Sequence, residues 1–288
     1  MTQRQIAAGA GDREHIGFIG AGHIGEPMVQ RLLADGVPVT VFARKPQVRQ
    51  RLSALGAHIA DSIEALADNT IVIACLFDDA QLSQLAPSII EGMSAGSVFA
   101  SHTTGSPRTI RMLEQIGTPH QVAIVEAPFS GTPARVRTGE LTVMLAGEAA
   151  AVRRVDRIIS AYAAHIHNTG ALGTASSTKL LNNVLFAACT QVTLSAIECA
   201  RQLGIDEKVL LAVLADCSGD STAARYIAAS AEDCTAYAAR ISRYLSKDLV
   251  AARATAIDLD ADISTLLAAS RLGPMNLDKP IAEPHTSQ

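Results

Sequence analysis

Between His167 and Glu198 the only charged side chain, with histidine taken as neutral, is Lys179. It stands near the start of a stretch, Thr174 to Leu203, that reads as one long and largely apolar helix. A lysine in such surroundings is expensive unless it works or is paired. Lys179 and Asn183 are four residues apart and share a helix face, with Asn182 on its flank. An ammonium and an amide on one face can protonate and orient a reacting oxygen, as reduction of a carbonyl requires when hydride arrives. A lysine snorkelling from a helix end would leave the same pattern, so spacing alone leaves both readings open.

Three more groups of residues carry possible chemistry. Ile16 to Ile19 runs directly into Gly20-Ala21-Gly22-His23-Ile24-Gly25, followed by the helical Glu26 to Ala34. At a first strand-to-helix turn these glycines suit a dinucleotide: the first permits the tight turn, the second admits a pyrophosphate, and the third lets helix and strand pack closely. Helix N-terminal N–H groups then face the phosphates. The next strand ends Ala43-Arg44-Lys45-Pro46, with no acid for a ribose 2′-hydroxyl and two cations where a 2′-phosphate would need them. NADP is therefore expected over NAD, with Arg44 as the main contact because its planar fork suits a phosphate. Glu126 to Thr132 follows a strand, at the sheet edge where ligands bind, and its small residues expose backbone N–H groups suited to a carboxylate; a plain turn would leave the same pattern. Lys247-Asp248, late in the chain, reads in isolation as solvated surface.

The elements that must position these residues divide the chain in two. Short β-rich runs (His15–Ile19, Val37–Phe42, Thr70–Leu76, Ser97–Ser101, Val122–Glu126 and Thr142–Ala146) alternate with helical stretches. Near-continuous apolar strands separated by helices indicate a parallel sheet covered on both faces, the doubly wound α/β pattern of a Rossmann domain. Asp61-Ser-Ile-Glu64 announces one helix as a near capping box. After Gly170 strand signals cease, and the long helix leads into an all-α domain with helices at Ile205–Asp216, Thr222–Ala231, Ala236–Asp248 and on to Leu272. The expected division is a disordered tail over 1–13, a dinucleotide-binding domain over 14–168, a helical domain over 169–273 and a flexible tail over 274–288.

Composition narrows the functional classes. The 288 residues are 48% hydrophobic, and a net charge of −4 without long runs of one sign argues against nucleic acid as a partner. Aromatics make up only 3%, so the core is built from Ala, Leu, Ile and Val. Leu180 to Ile197 holds Asn182, Asn183, Thr190, Gln191, Thr193 and Ser195, too polar for a membrane span. Five cysteines without a C-x-x-C pair, and no charged-then-apolar leader before the first strand, point to the reducing cytoplasm. His165 and His167 alternate without a carboxylate or cysteine at ligand spacing, so no metal is expected.

Taken together, these residues resemble the β-hydroxyacid dehydrogenase family, which includes 3-hydroxyisobutyrate dehydrogenases, tartronate semialdehyde reductases and glyoxylate/succinic semialdehyde reductases. The resemblance covers roughly residues 15 to 265. It rests on Gly20 to Gly25, on Ala127 to Gly131 against a family A-P-V-S-G-G, on Gly170-x-x-Gly173 leading to Lys179 and Asn183, and on Lys247-Asp248-Leu249. Ser101 to Pro107 also matches a family D-x-S-T-x-x-P segment. The resemblance implies an NADP(H)-dependent enzyme interconverting a β-hydroxy acid and its semialdehyde or keto acid, with the active site in a cleft between the domains. Lys179 would be general acid in reduction and base in oxidation, with Asn183 holding substrate. Ser130, Gly131, Thr132, Asn182 and Lys247 would bind the substrate. Cofactor contacts are expected at Gly20, Gly22, His23, Ile24, Gly25, Ala43, Arg44, Lys45, Leu76, Phe77, Thr103 and Lys247. The partners implied are a small carboxylated substrate and a second copy of the chain, as a homodimer or tetramer through the helical domain.

The sequence also departs from that pattern. Thr132 replaces a glycine, Phe129 a valine, Ala175 the third glycine of the lysine motif, and Ser101 the strand-end aspartate. An imine reductase or reductive aminase shares the scaffold but commonly has Asp or Tyr where Lys179 stands. A non-catalytic NADP-binding protein is the third reading, against which the Lys179–Asn183 face argues.

Overall fold

Ile16, Phe18, Ile71 and Ile73 are fully buried against one face of a central sheet, while Ile19, Val72, Ala74 and Phe99 are buried on the other. Alternate residues of one strand point to opposite faces, so a strand such as Ile71–Ala74 is apolar throughout only because helices cover both sides. Each fully buried side chain of this size contributes about 1.5–3 kcal/mol relative to exposure. A computed structural model describes residues 14–278. The expected tail over 1–13, and the part of the C-terminal tail beyond 278, lie outside the described residues.

The chain divides into two compact units, at Lys179 and Leu180. The first runs β1 (Ile16–Ile19), α1 (Gly25–Ala34), β2 (Val39–Phe42), α2 (Pro46–Ala54), β3 (His58–Ile59), β4 (Ile71–Ala74), α3 (Asp79–Gly92), β5 (Val98–Ser101), α4 (Pro107–Gly117), β6 (Ala123–Glu126), β7 (Phe129–Ser130), α5 (Pro133–Thr138), β8 (Leu141–Gly147), α6 (Ala149–Ile159) and β9 (Ala163–Gly170). Strands β3, β2, β1, β4, β5 and β6 lie side by side in that order and all run parallel. Their carboxyl ends therefore share one edge, where ligands bind in open α/β sheets. The far end adds antiparallel pairs to this parallel sheet. After Pro128, which has no N–H to give a ladder, the chain folds back so that β8 pairs antiparallel with β6 and β7 and parallel with β9.

α7 (Thr174–Gln202) starts in the first unit and belongs to the second from Leu180 on. Gly204, with φ of 74°, ends that stretch as expected. The second unit continues with α8 (Glu207–Ala215), α9 (Thr222–Ala228), α10 (Cys234–Asp258) and α11 (Ser264–Ala269). Its core gathers Leu180, Val184, Leu194 and Ile197 of α7 with Leu245 and Leu249 of α10. By length and composition α7 could cross a membrane, yet more than half of its most apolar window is buried. Thr190 and Thr193 there donate to the carbonyls of Phe186 and Cys189, at 2.8 Å each.

Three expectations are corrected. Asp61 to Glu64 opens no α-helix: a five-residue 3-10 turn, Glu64–Asp68, fills the space before β4, and Ser62, not Asp61, accepts from the Ala65 N–H. α10 extends well beyond Asp248, since no glycine or proline interrupts it from Cys234 to Asp258. Residues 274–278, expected as part of a flexible tail, are held by Gln191. Its Nε2 donates to the carbonyls of Ser270 and Met275, its Oε1 accepts from the Met275 N–H, and Met275 and Leu277 are buried.

Candidate active site

The turn after β1 is shaped by what its glycines exclude. A Cβ on Gly20, whose φ is 94°, would sit 2.1 Å from the Cys75 carbonyl oxygen, and one on Gly25 would sit 2.2 Å from the Gly20 carbonyl oxygen. Both close approaches are backbone against backbone, so neither can relax by a rotamer change. Gly22 is the opposite case, with no atom within 4 Å of its Cβ position. The start of α1 has no side-chain cap, and the exposed Gly22 and His23 precede it. Open space beside an uncapped helix N-terminus is what a pyrophosphate requires, so these residues fit a dinucleotide.

The neighbouring strands complete the edge. The Leu76 N–H after β4 donates to Thr103 Oγ1 after β5 at 3.1 Å, and the Ser106 N–H donates to Asp79 Oδ2 at 2.8 Å, pinning two loops together. This brings Leu76 and Thr103 into one cluster, with the exposed Phe77 next to it. At the end of β2, Ala43 is buried while Arg44 and Lys45 are exposed.

The segment after β6 rests on a residue that the sequence did not single out, within the Ser101 to Pro107 match. His102 is 1% exposed, and its Nδ1 lies 2.5 Å from the Ala127 carbonyl oxygen. A carbonyl can only accept, so Nδ1 carries the proton, and Nε2 accepts from the Tyr162 hydroxyl at 2.8 Å. Burial pushes the His102 imidazole down to about 4, so it is neutral at pH 7. The Phe129 ring, which stands where the family pattern has a valine, meets His102 edge-on at 5.9 Å. Beyond it Ser130 and Gly131 are half-buried, and Thr132 is exposed at the start of α5, its Oγ1 accepting from the Arg135 N–H.

Lys179 lies at the sixth position of α7 and is 9% exposed. The first turn of that helix is capped by Glu126, the last residue of β6 and itself 0% exposed. Glu126 Oε2 accepts from the Gly173 N–H at 2.5 Å and Oε1 from the Ser176 N–H at 3.1 Å. In the second unit, Asn183 is 7% exposed, and its Nδ2 donates to Asp248 Oδ2 at 2.8 Å. Asn183 Oδ1 accepts from Asn182 Nδ2 at 3.1 Å, so the amide is held from both ends. Lys247 is half-buried on α10. Glu126 and Asp248 were not singled out as site residues. The available signal was an acid ending an otherwise apolar strand in one case, and membership of the Lys247-Asp248-Leu249 match in the other. Among the described residues no group of three or more His, Cys, Asp or Glu could hold a metal ion.

Comparison with known proteins places this geometry in a family. Residues 15–171 match the model of the NAD binding domain of 6-phosphogluconate dehydrogenase. Residues 173–274 match that described as NAD-binding of NADP-dependent 3-hydroxyisobutyrate dehydrogenase. The chain is 31% identical over 204 residues to an uncharacterized oxidoreductase of Shewanella frigidimarina, covering 69% of this chain and 70% of that one. It is 29% identical over 222 residues to an NAD-dependent L-serine dehydrogenase of Pseudomonas aeruginosa, covering 73% and 72%. Such alignments span 62 to 72% of the curated relatives' own lengths. A Mycobacterium tuberculosis 3-hydroxyisobutyrate dehydrogenase solved with L-serine superposes with a TM-score of 0.79 at 22% identity, over 90% of this chain and 92% of that one. The glycine turn, the uncapped helix behind it and the buried lysine on a long helix thus lie in a chain matched almost end to end by two adjoining family models. It belongs to the β-hydroxyacid dehydrogenase family of nicotinamide dinucleotide-binding oxidoreductases.

Proposed function

We propose that the protein is an NADP(H)-dependent oxidoreductase interconverting a small β-hydroxy acid and the corresponding semialdehyde or keto acid. The observation that carries this reading is Lys179, buried near the start of a helix that carries no other charge before Glu198, one turn from an amide held at both ends. An ammonium in that position has a use when an oxygen gains or loses a proton. When bound, the nicotinamide supplies or accepts the hydride. Lys179 gives its proton to the carbonyl oxygen in reduction and takes one from the hydroxyl in oxidation. Asn183 orients the same oxygen, its own geometry set by Asp248 and Asn182. Ser130, Gly131 and Thr132 bind the substrate carboxylate, on a segment held by His102. Asn182 and Lys247 are assigned to substrate, Lys247 also to cofactor.

The dinucleotide would be held by Gly20, Gly22, His23, Ile24 and Gly25, with Ala43, Leu76, Phe77 and Thr103 around it. Arg44 and Lys45 favour NADP, because both cations are exposed at the end of β2 and no acid is there to meet a 2′-hydroxyl. The L-serine dehydrogenase relative is named as NAD-dependent, so cofactor choice in this chain rests on those two side chains. A homodimer through the helical unit completes the reading, supported by the exposed Leu181, Leu185 and Val192 along α7.

The test is oxidation of NADPH and of NADH across glyoxylate, semialdehydes, bulkier β-keto acids and imines, by the parent and by Lys179→Ala. The expected result is turnover of a carboxylated carbonyl with NADPH preferred, and a loss of about a thousandfold or more in kcat for Lys179→Ala, with dinucleotide affinity kept. Parent-like turnover by Lys179→Ala, or turnover of imines alone, overturns the reading.

A further inference from the structure

Glu126 is a carboxylate with no exposed surface, at the end of a strand whose other residues are apolar. Charged side chains are almost never placed so deep without a specific partner. Its partners are two backbone N–H groups, those of Gly173 and Ser176, at the positive end of α7. Both oxygens are used, one on each N–H, so the carboxylate grips the helix start at two points instead of one. Gly173 has φ of 95°, a backbone that side chains other than glycine rarely adopt, and this turns its N–H onto the carboxylate. Lys179 follows Ser176 by three residues, so the lysine projects from the turn next to the one that Glu126 fixes.

We propose that Glu126 is a positioning residue for Lys179, clamping the first turn of α7 to the end of β6 so that the ammonium is presented at a fixed depth. The assignment rests on Lys179 being the proton donor. Burial pushes the Glu126 carboxyl above the usual carboxylate range, with the Ser176 side chain and the backbone of Gly173, Ser176 and Ala175 pulling the other way. A raised carboxyl favours the folded state at low pH, and that contribution is lost as pH rises through its titration. At neutral pH the charge is thus a poor choice for stability alone. The substrate segment that begins at Ala127 has a separate anchor in the bond from His102 to the Ala127 carbonyl. Loosening the clamp therefore acts on the lysine and spares the carboxylate segment.

Glu126→Gln is nearly isosteric, but its amide has one acceptor oxygen and can satisfy only one of the two N–H groups. The expected result is a fall in kcat of about tenfold or more, with KM for the carbonyl acid and dinucleotide affinity within about twofold of the parent. The unfolding temperature should stay within about 3 °C of the parent. Glu126→Asp keeps the charge on a shorter arm and is expected to lower kcat with the same split; it decides the question if the Gln variant does not fold. Parent-like kcat in either folded variant overturns the proposal. So does a fall in unfolding temperature with kcat per folded molecule unchanged, which would make Glu126 a structural cap. Lys179→Ala, run alongside, separates the two readings. Turnover by that variant removes the lysine from the mechanism whatever Glu126 does. An inactive Lys179→Ala beside a fully active Glu126→Gln removes only the clamp.

Discussion

At the scale of single residues, the lysine was legible and its supports were not. Lys179 stands out because nothing near it in sequence is charged, whereas Glu126 and Asp248 look like ordinary acids until the fold buries one and aims the other at Asn183. His102 is harder still, since its partners Ala127 and Tyr162 are 25 and 60 residues away. This histidine makes a testable difference to acid sensitivity. Its imidazole titrates near 6.5 when unfolded and at about 4 when folded, so the unfolded chain binds the extra proton between those values. The stability it contributes is fully present above pH 6.5 and is lost as pH falls toward about 4. Between pH 7 and pH 5 the loss is on the order of 2 kcal/mol. Denaturant titrations of His102→Gln, which keeps a donor for the Ala127 carbonyl, should give a flatter dependence over that interval by about that amount. Parallel curves for parent and variant would sink the assignment.

At the scale of elements, periodicity and glycine spacing located the main parallel strands and α7, but neither β9 nor the full length of α10. The first five parallel strands with long ladders and the 29-residue α7 were foreseen to within a few residues. β3 and β7, at two residues each, are too short to carry an alternation signal and exist because neighbouring strands offer them ladders. The failed capping box at Asp61 has the same cause: the start signal was present, but β4 begins too soon for a helix to propagate. The glycine turn makes a sharper prediction, because two of its glycines differ in what surrounds them. Gly25→Ala forces a methyl against the Gly20 carbonyl and should destabilise the fold by at least about 2 kcal/mol. Gly22→Ala adds a methyl to open space, so thermal unfolding should match the parent while dinucleotide affinity, read by fluorescence quenching, falls by about tenfold or more. Parent-like binding by Gly22→Ala would mean that phosphate does not approach there.

At the scale of the whole molecule, the two-part organisation was legible from the point where strand signals stop. The break in contacts falls at Lys179 and Leu180, later than the expected 168, because the first turn of α7 is fastened to β6 through Glu126. Sequence could not supply that tie, since it joins residues 50 apart. The low aromatic content has its counterpart in the second unit, where aliphatic side chains on α7 and α10 fill the core. The same helix leaves Leu181, Leu185 and Val192 exposed on one side, at spacings of four and seven. If this side supports the proposed homodimer, the parent sediments as a dimer and Leu185→Glu with Val192→Glu shifts it toward monomer at micromolar concentration. An unchanged sedimentation coefficient in the double variant would place the contact elsewhere.

The margins of the sheet bear on how copies of the chain can meet. One is β3, only two residues long; at the other, the equally short β7 and the longer β9 each pair with β8 alone, and β9 is lined by the exposed His165, His167 and Asn168. Unpaired strands are templates for runaway association when they are long, flat and apolar. Here one margin is too short to seed a ladder and the other is studded with polar side chains, so fibril-like growth from strand to strand finds little to build on.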